Sequence, residues 1–488
     1  MTQWATFGIV VLSVACVISR PFGVKEYVPA IAGAVALVVL GLLPVGVALQ
    51  GLGQAVDVVL FLTGMMLLAE LARGEGLFDW LAAGVAVMAR GSAMRLFALV
   101  YGMAVLVTVF LSNDATAVVF TPAVAAMARA VKATRALPYL LICAFVANAA
   151  SFVLPISNPA NLVVYAHVMP PLLEWLRRFG LASAASIGAT YLALWLTQRG
   201  ALQQEVMVPD ARQALSRAGR MTGCGIIGTA LVLIGASAFG LRLGAVTFVC
   251  GFGTAMAVLA VGRQGLWRVV QHISWGVLPM VAGLFVMVAA LDRAGVASAL
   301  GSWLGQARPG AAFWGTGLGV AVATNFVNNL PAGLLMGQGH LSGLLTGAAL
   351  VGVDLGPNLS VTGSLATILW LTALEREGAQ MTAWQFLRLG AMVMPPALVL
   401  ALLAMRLTLL AQSGTKGLER VIASRSSLLI KLKRGLCVSW GQEHCVGWLG
   451  NLRCTASCRE RQLYHQGEIG LYFLAGGGFC WFYGPCPR

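Results

Sequence analysis

Apolar stretches long enough to cross a bilayer recur along this chain, and that constrains its fold more than any motif does. A membrane-spanning helix needs roughly 17 to 25 predominantly apolar residues. Apolar runs start at 5–19 and 28–44 and continue to 390–412, with short polar connections between them. Only 10% of the 488 residues are charged and 59% are hydrophobic, against about 25% charged in a soluble domain. A soluble chain of this composition would have to cover its core with almost no polar surface, which surface-to-volume scaling excludes. The expected fold is all-α: a polytopic membrane protein of about ten to twelve transmembrane helices.

The net charge of +15 fits the same reading. Basic residues collect in short connections, such as Arg129, Lys132 and Arg135, or Arg212, Arg217 and Arg220. That is the positive-inside pattern of cytoplasmic loops, and it implies a lipid bilayer as partner and no nucleic acid. The run 5–19 lacks a basic leader and reads as the first span rather than a cleaved signal. Cys16, Cys143, Cys224 and Cys250 lie in apolar runs and serve as small hydrophobes.

Polar segment 198–220 divides the chain and, being net positive, is placed in the cytoplasm. The halves on either side, 1–197 and 221–412, share features in one order. FLTGMMLLAELARGEGL (61–77) and MVAGLFVMVAALDRAGV (280–296) place Gly64 and Gly76 against Gly283 and Gly295. Next come SND (112–114) and VNN (327–329), each followed by a proline. Then come NAASFVLPISNPANLVV (148–164) and DLGPNLSVTGSLATILW (354–370), which set SNPAN (157–161) against GSLAT (363–367). Interrupted helices at matching places in two halves are the strongest sequence pointer to the binding site of a secondary transporter. The expectation is therefore two structural repeats with broken helices or re-entrant hairpins.

Irregular backbone survives at membrane depth only where protein or a water-filled cavity satisfies it. The four motifs can line one midplane pocket with amides, hydroxyls and helix ends. Candidates are Asn113, Asp114, Thr116, Asn158, Asn161, Asn328, Asn329, Ser364 and Thr367. A carboxyl buried in the bilayer is costly and marks function, so Asp114 is read as a proton-exchanging group. Asp57, at the opening of an apolar run, is a cap or a proton site; Asp354, opposite Asn148 in the repeat, is a further proton candidate. Glu70 beside Arg73 reads as an interfacial ion pair. No Lys or Arg lies in the four motifs, so a neutral polyhydroxyl solute or a small cation fits them with the fewest assumptions.

Five segments together resemble the arsenite permeases, often called ArsB, of the wider ion-transporter superfamily. They are FLTGMMLLAELARGEGLFDWLA (61–82), LSNDATAVVFTP (111–122), NPANLVV (158–164), NFVNNLPAGLL (325–335) and GVDLGPNLSVTGSLATILWL (352–371), in family order. The resemblance spans about 5–412, and the last segment is its most specific part. It implies export of arsenite and antimonite across the inner membrane, by exchange with protons or together with a soluble ATPase subunit. It carries Asn113, Asp114, Asn158, Asn328 and Asn329 over as pocket residues, with Asp114 the proton site. Thr116 stands where small residues are expected and adds a hydroxyl. A sodium/proton antiporter or a sodium-coupled carboxylate carrier of the same superfamily is the alternative.

The five histidines, His167, His272, His340, His444 and His465, form no HExxH or Ser-His arrangement. No enzyme, cofactor or metal site is expected; the segment 413–488 reads as a basic, Cys-rich tail without a sustained helical period, disordered or non-native. His444, Cys454, Cys458 and His465 lie there without paired CxxC spacing.

Overall fold

The computed structural model describes residues 2–166, 169–203, 205–208, 214–262, 266–339, 341–439, 473–474 and 478–479. The chain divides into two units, Met1–Ser413 and Gly414–Arg488. The helices form two series. The first is α1 (Thr2–Ser19), α2 (Tyr27–Val39), α3 (Val45–Gly74), α4 (Leu77–Met88), α5 (Ala93–Phe110), a π-helical turn (Ala115–Phe120), α6 (Thr121–Ala130), α7 (Leu137–Ala149), α8 (Pro159–Val164) and α9 (Leu172–Gln198). The second is α10 (Arg217–Ala238), α11 (Leu243–Val261), α12 (Leu266–His272), α13 (Val277–Arg293), α14 (Val296–Gln306), α15 (Pro309–Val327), α16 (Asn329–Gln338), α17 (Gly343–Leu355), α18 (Leu365–Arg376) and α19 (Ala383–Ser439).

The series match break for break. Gly76 separates α3 from α4 with φ +70°, and Gly295 separates α13 from α14 with φ +85°. Glycine takes this left-handed conformation without the Cβ clash other residues meet. The α5–α6 interruption corresponds to α15–α16, and α7–α8 to α17–α18. Proline opens several pieces, at Pro138 in α7, Pro159 in α8 and Pro309 in α15, where its missing N–H costs nothing. Pro122 brings no N–H to the turn before it, and the chain widens there into the π-helical turn.

Among the described residues, seven helices are long and apolar enough to span a membrane, or eight if the bent pair α13 and α14 counts as one span. That pair is bent by 61°. The expected ten to twelve spans resolve into these long helices and shorter apolar ones of 10–17 residues, which include α2, α4 and α7.

The series interlock. α3 packs on α11 and α13, α2 on α13, and α8 on α16. Gly64 of α3 and Gly251 of α11 meet backbone to backbone: a Cβ on Gly64 would collide with the Thr247 carbonyl, and one on Gly251 would collide with Gly64. The connection between the series is pinned as well. Val206 N–H donates to Gly91 O at 2.9 Å and Met207 N–H to Val131 O at 2.9 Å. α10 starts inside the predicted polar break, at Arg217, with the Ser216 hydroxyl accepting from Gly219 N–H at 2.8 Å. Burial of the apolar faces inside Met1–Ser413 forms the core, centred on residues such as Phe61, Phe97, Phe145 and Trp370.

In the second unit, helix extends to Ser439 where the sequence predicts no sustained period, and Phe473–Leu474 pairs antiparallel with Gly478–Phe479. The rest of that unit, including the His444, Cys454, Cys458 and His465 group, lies outside the described residues, as do His167 and His340.

Candidate functional site

The four interruptions converge on one cavity of ≈ 50 Å³. Its polar lining is Asn113 and Asp114 from the first, Asn158 from the second, Asn328 and Asn329 from the third, and Ser364 from the fourth. Side chains of α1, α3 and α13 supply the apolar wall. No Lys or Arg lines it among the described residues.

The repeats reach the cavity by the same local device. Asn158 has φ −149° and ψ 133°, and its Oδ1 accepts from Ala160 N–H at 3.0 Å at the start of α8. Ser364 has φ −142° and ψ 144°, and its Oγ accepts from Ala366 N–H at 3.2 Å at the start of α18. Each is an N-cap whose side chain satisfies a free helix-end donor. In the other pair of breaks, Asn113 Oδ1 accepts from Asp114 N–H at 2.9 Å. Asn328 has φ 72° and ψ 157°, a region that only glycine enters without strain. Its amide donates to Thr362 O at 3.4 Å.

Five sequence candidates stand outside the cavity lining, each for a physical reason. The Thr116 hydroxyl shares a hydrogen bond of 2.8 Å with Thr108, inside the turn of its own broken helix. Asn161 donates to Ser151 O at 2.8 Å and Leu154 O at 3.1 Å, tying the α7–α8 loop to itself. Thr367 is buried one turn into α18, on a face away from the lining. Asp57 does not open its own helix; it sits within α3, where its backbone and carboxyl pack against Gly244 at the start of α11. Asp354 is completely buried in the last turn of α17 and accepts from Asn158 at 2.6 Å, one residue removed from the cavity.

Other side chains around the breaks escape a motif reading. Asn325 donates to Ala321 O at 2.8 Å and Gly356 O at 3.1 Å, and accepts from the Ser360 hydroxyl at 2.7 Å. The Thr362 hydroxyl donates to Asn325 O at 2.8 Å, as the Ser157 hydroxyl donates to Val109 O at 3.0 Å in the first repeat. In each repeat a hydroxyl of the second break thus holds a carbonyl of the last turn before the first. Asn358 belongs to the DLGPN turn, which marks it as a loop residue; its partner Asn148 lies 210 positions away, and nothing local signals that.

Asp114 is half-buried and also borders a second cavity of ≈ 400 Å³, which shares Leu62, Pro159, Val277 and Leu365 with the first. This larger space reaches Glu70, Arg73, His272 and Arg376. Arg73 pairs with Glu70, and Arg129 with Glu377 at 2.7 Å. Asp114 is thus the one carboxyl common to an inner polar cavity and an outer vestibule among the described residues.

Two repeats whose broken helices bring six polar side chains to one small cavity define the class: a multi-pass membrane transporter. The chain belongs to the citrate transporter family, which matches residues 14–350. An arsenical pump membrane protein of Escherichia coli is 27% identical over 437 residues, covering 82% of this chain and 98% of the relative. An uncharacterized transporter of Mycobacterium tuberculosis is 25% identical over 369 residues, covering 71% and 84%. The crystal structure of the Alcanivorax borkumensis YdaH transporter aligns with a TM-score of 0.48 at 15% identity, covering 76% of this chain and 88% of that one.

Proposed function

We propose that this transporter exports arsenite, and antimonite with it, across the inner membrane in exchange for protons, by alternating access around the small cavity. The observation that carries the reading is the lining: five amide or hydroxyl side chains and one carboxyl, with no fixed positive charge. At neutral pH arsenite is largely the uncharged As(OH)3, a compact donor-and-acceptor solute. Asn can both donate and accept, so the amides of Asn113, Asn158, Asn328 and Asn329 match such a solute. The name of the Escherichia coli relative supports the same substrate class.

In this reading Asp114 exchanges the proton, because it faces both the cavity and the vestibule. The vestibule mouth holds Arg73 and Arg376, and positive-inside logic puts that mouth on the cytoplasmic side. Arsenite would load from there, alone or with a soluble ATPase subunit at that face. Proton uptake from the opposite side would then reset the carrier.

The test is arsenite uptake into everted membrane vesicles with the proton gradient present or collapsed, with Asp114→Asn beside the wild type. Gradient-driven uptake lost in the variant supports the reading. Uptake unaffected by Asp114→Asn removes the proton from that residue. The second reading is a sodium-coupled carboxylate carrier, favoured by the family to which the chain belongs. Sodium-stimulated citrate uptake without arsenite uptake in the same vesicles would decide for it.

A further inference from the structure

A second polar centre lies behind the cavity and faces no open space. Asp354 is 0% exposed. Its Oδ1 accepts from Asn158 Nδ2 at 2.6 Å, and its Oδ2 has no hydrogen-bond partner among the described residues. An ionised carboxylate offers about four acceptor sites, so most of this group's capacity is unmet. Asn148, also 0% exposed, donates to Asn358 Oδ1 at 3.0 Å and leaves its own Oδ1 without a donor. The Oδ1 of Asn161 is unpartnered too. All three unmet atoms are acceptors, and the hydroxyl beside the carboxyl, that of Ser151, donates instead to Asn148 O at 2.8 Å.

No fixed cation supplies the missing charge. The elements packed most closely against α17 are α7, α8, α15, α16 and the turn Gly356–Asn358, whose only titratable side chains are Tyr139 and Cys143. α9 and α19 also touch it, through Phe179 and Met405 at Gly347, and Arg177, Arg388 and Arg406 on those two helices are exposed. The Tyr139 hydroxyl is directed to Ala93 O at 3.4 Å, and Cys143 lies beside Thr121. Arg178 meets α17 at Gly343 O, eleven residues and about 16 Å of helix from Asp354. The neighbours of the Asp354 carboxyl are the neutral side chains of Ser151 and Asn158. A buried carboxylate without a cation is strongly disfavoured, and a proton is the smallest species that relieves it.

We propose that Asp354 is a second proton-binding site, separate from Asp114, and that it acts on the cavity through Asn158. This rests on the transport reading above and adds a coupling element to it. Asn158 spans the two places: its Oδ1 caps α8, its Nδ2 is held by Asp354, and the residue lines the cavity. While Asp354 is ionised, a charge-assisted bond fixes the Asn158 amide, and such bonds are roughly twice as strong as neutral ones. When the proton arrives on Oδ2, that hold weakens and the cavity loses a pre-set partner for the substrate. Proton and substrate then oppose each other, as exchange requires. Asp354 is a positioning residue in this scheme.

The experiment uses the full chain, purified and reconstituted, with arsenite as the probe. Asp354→Asn mimics the protonated acid. It is expected to raise the arsenite KM several-fold and to flatten its pH dependence. Each proton displaced by substrate contributes about a tenfold change in KM per pH unit, so the slope should fall by up to that factor. Acid-induced infrared difference spectra give a readout that needs no arsenite: a protonated-carboxyl band present in Asp114→Asn should vanish in the Asp114→Asn, Asp354→Asn double variant. Asn158→Ala should shift the pH midpoint of that band without removing it. An unchanged band in the double variant, or a wild-type pH profile of KM in Asp354→Asn, overturns the proposal. If Asp354→Asn does not accumulate in the membrane, the midpoint in Asn158→Ala decides, and an unmoved midpoint also overturns it. Loss of the band without any arsenite transport by the wild type would leave the proton site standing and sink the substrate reading instead.

Discussion

Asn148 at the end of α7 and Asn358 in the turn after α17 join the two repeats directly, Asn148 Nδ2 donating to Asn358 Oδ1 over 3.0 Å with both residues fully buried. The Asn358 side-chain Nδ2 in turn donates to Phe145 O at 3.0 Å. One amide therefore satisfies two groups of the other repeat, both near the end of α7.

Replacing Asn358 with Ala should be destabilising through the groups it strands. The Asn148 amide and the Phe145 carbonyl would each lose a buried partner, at about 1–3 kcal/mol apiece. Thermal unfolding in detergent should show a lower Tm. The double variant with Asn148→Ala should lose less than the two single losses added together, because the pair shares one bond. Additive losses would mean that the two amides act independently.

The matched caps give a second prediction. Ser364→Ala removes the acceptor for Ala366 N–H, and cap removal costs about 1 kcal/mol. The same change takes a hydroxyl out of the cavity lining, so the substrate KM should rise with it. Ser364→Asn copies the opposite repeat and should keep both the cap and transport. Vesicle uptake and unfolding curves on the two variants check this; equal behaviour of Ala and Asn would dismiss the symmetry argument.

The α3–α11 crossing should tolerate nothing larger than glycine at its centre. A side chain at Gly64 meets the Thr247 backbone, which has no rotamer with which to yield. Overpacking against flexible side chains already costs about 1–3 kcal/mol, so Gly64→Val should exceed that range. The expected outcome is loss of folded protein from the membrane fraction, seen by fluorescence-detected size exclusion. Gly53, on the same helix with open space around it, should accept Ala with little effect.

By contrast, the Arg129–Glu377 pair should contribute little to stability. Arg129 is 59% exposed, and exposed ion pairs are worth about 0–1 kcal/mol, less as salt rises. Arg129→Ala should leave the Tm nearly unchanged in moderate salt. A large drop would point to a role in holding the vestibule mouth, which Glu377 borders.

Much of this arrangement is legible in the linear chain because bilayer physics acts locally. Asn113, Asp114, Asn158, Asn328, Asn329 and Ser364 stand out as polar residues inside apolar runs, and all six line one cavity. Thr116, Asn161 and Thr367 stand out for the same reason, yet the Thr116 hydroxyl and the Asn161 Nδ2 are spent inside their own breaks. The period of a helix cannot separate these cases, because an interrupted helix has no continuous face. Asp57 reads as the start of a helix because the apolar run begins there, but α3 begins at Val45, and the carboxyl packs against Gly244 of α11.

The sequence by itself determined the membrane-embedded, all-helical class, the two repeats and the places where helices must break, since hydropathy, glycine and proline act on the residues that carry them. Only the tertiary structure decided which breaks face one another, that Asn158 is gripped by Asp354 at 2.6 Å across 196 residues, and that Asp114 lies between two cavities. Those relations depend on how distant helices dock, and a side chain's partner in a low-dielectric interior is set by that docking rather than by its neighbours along the chain.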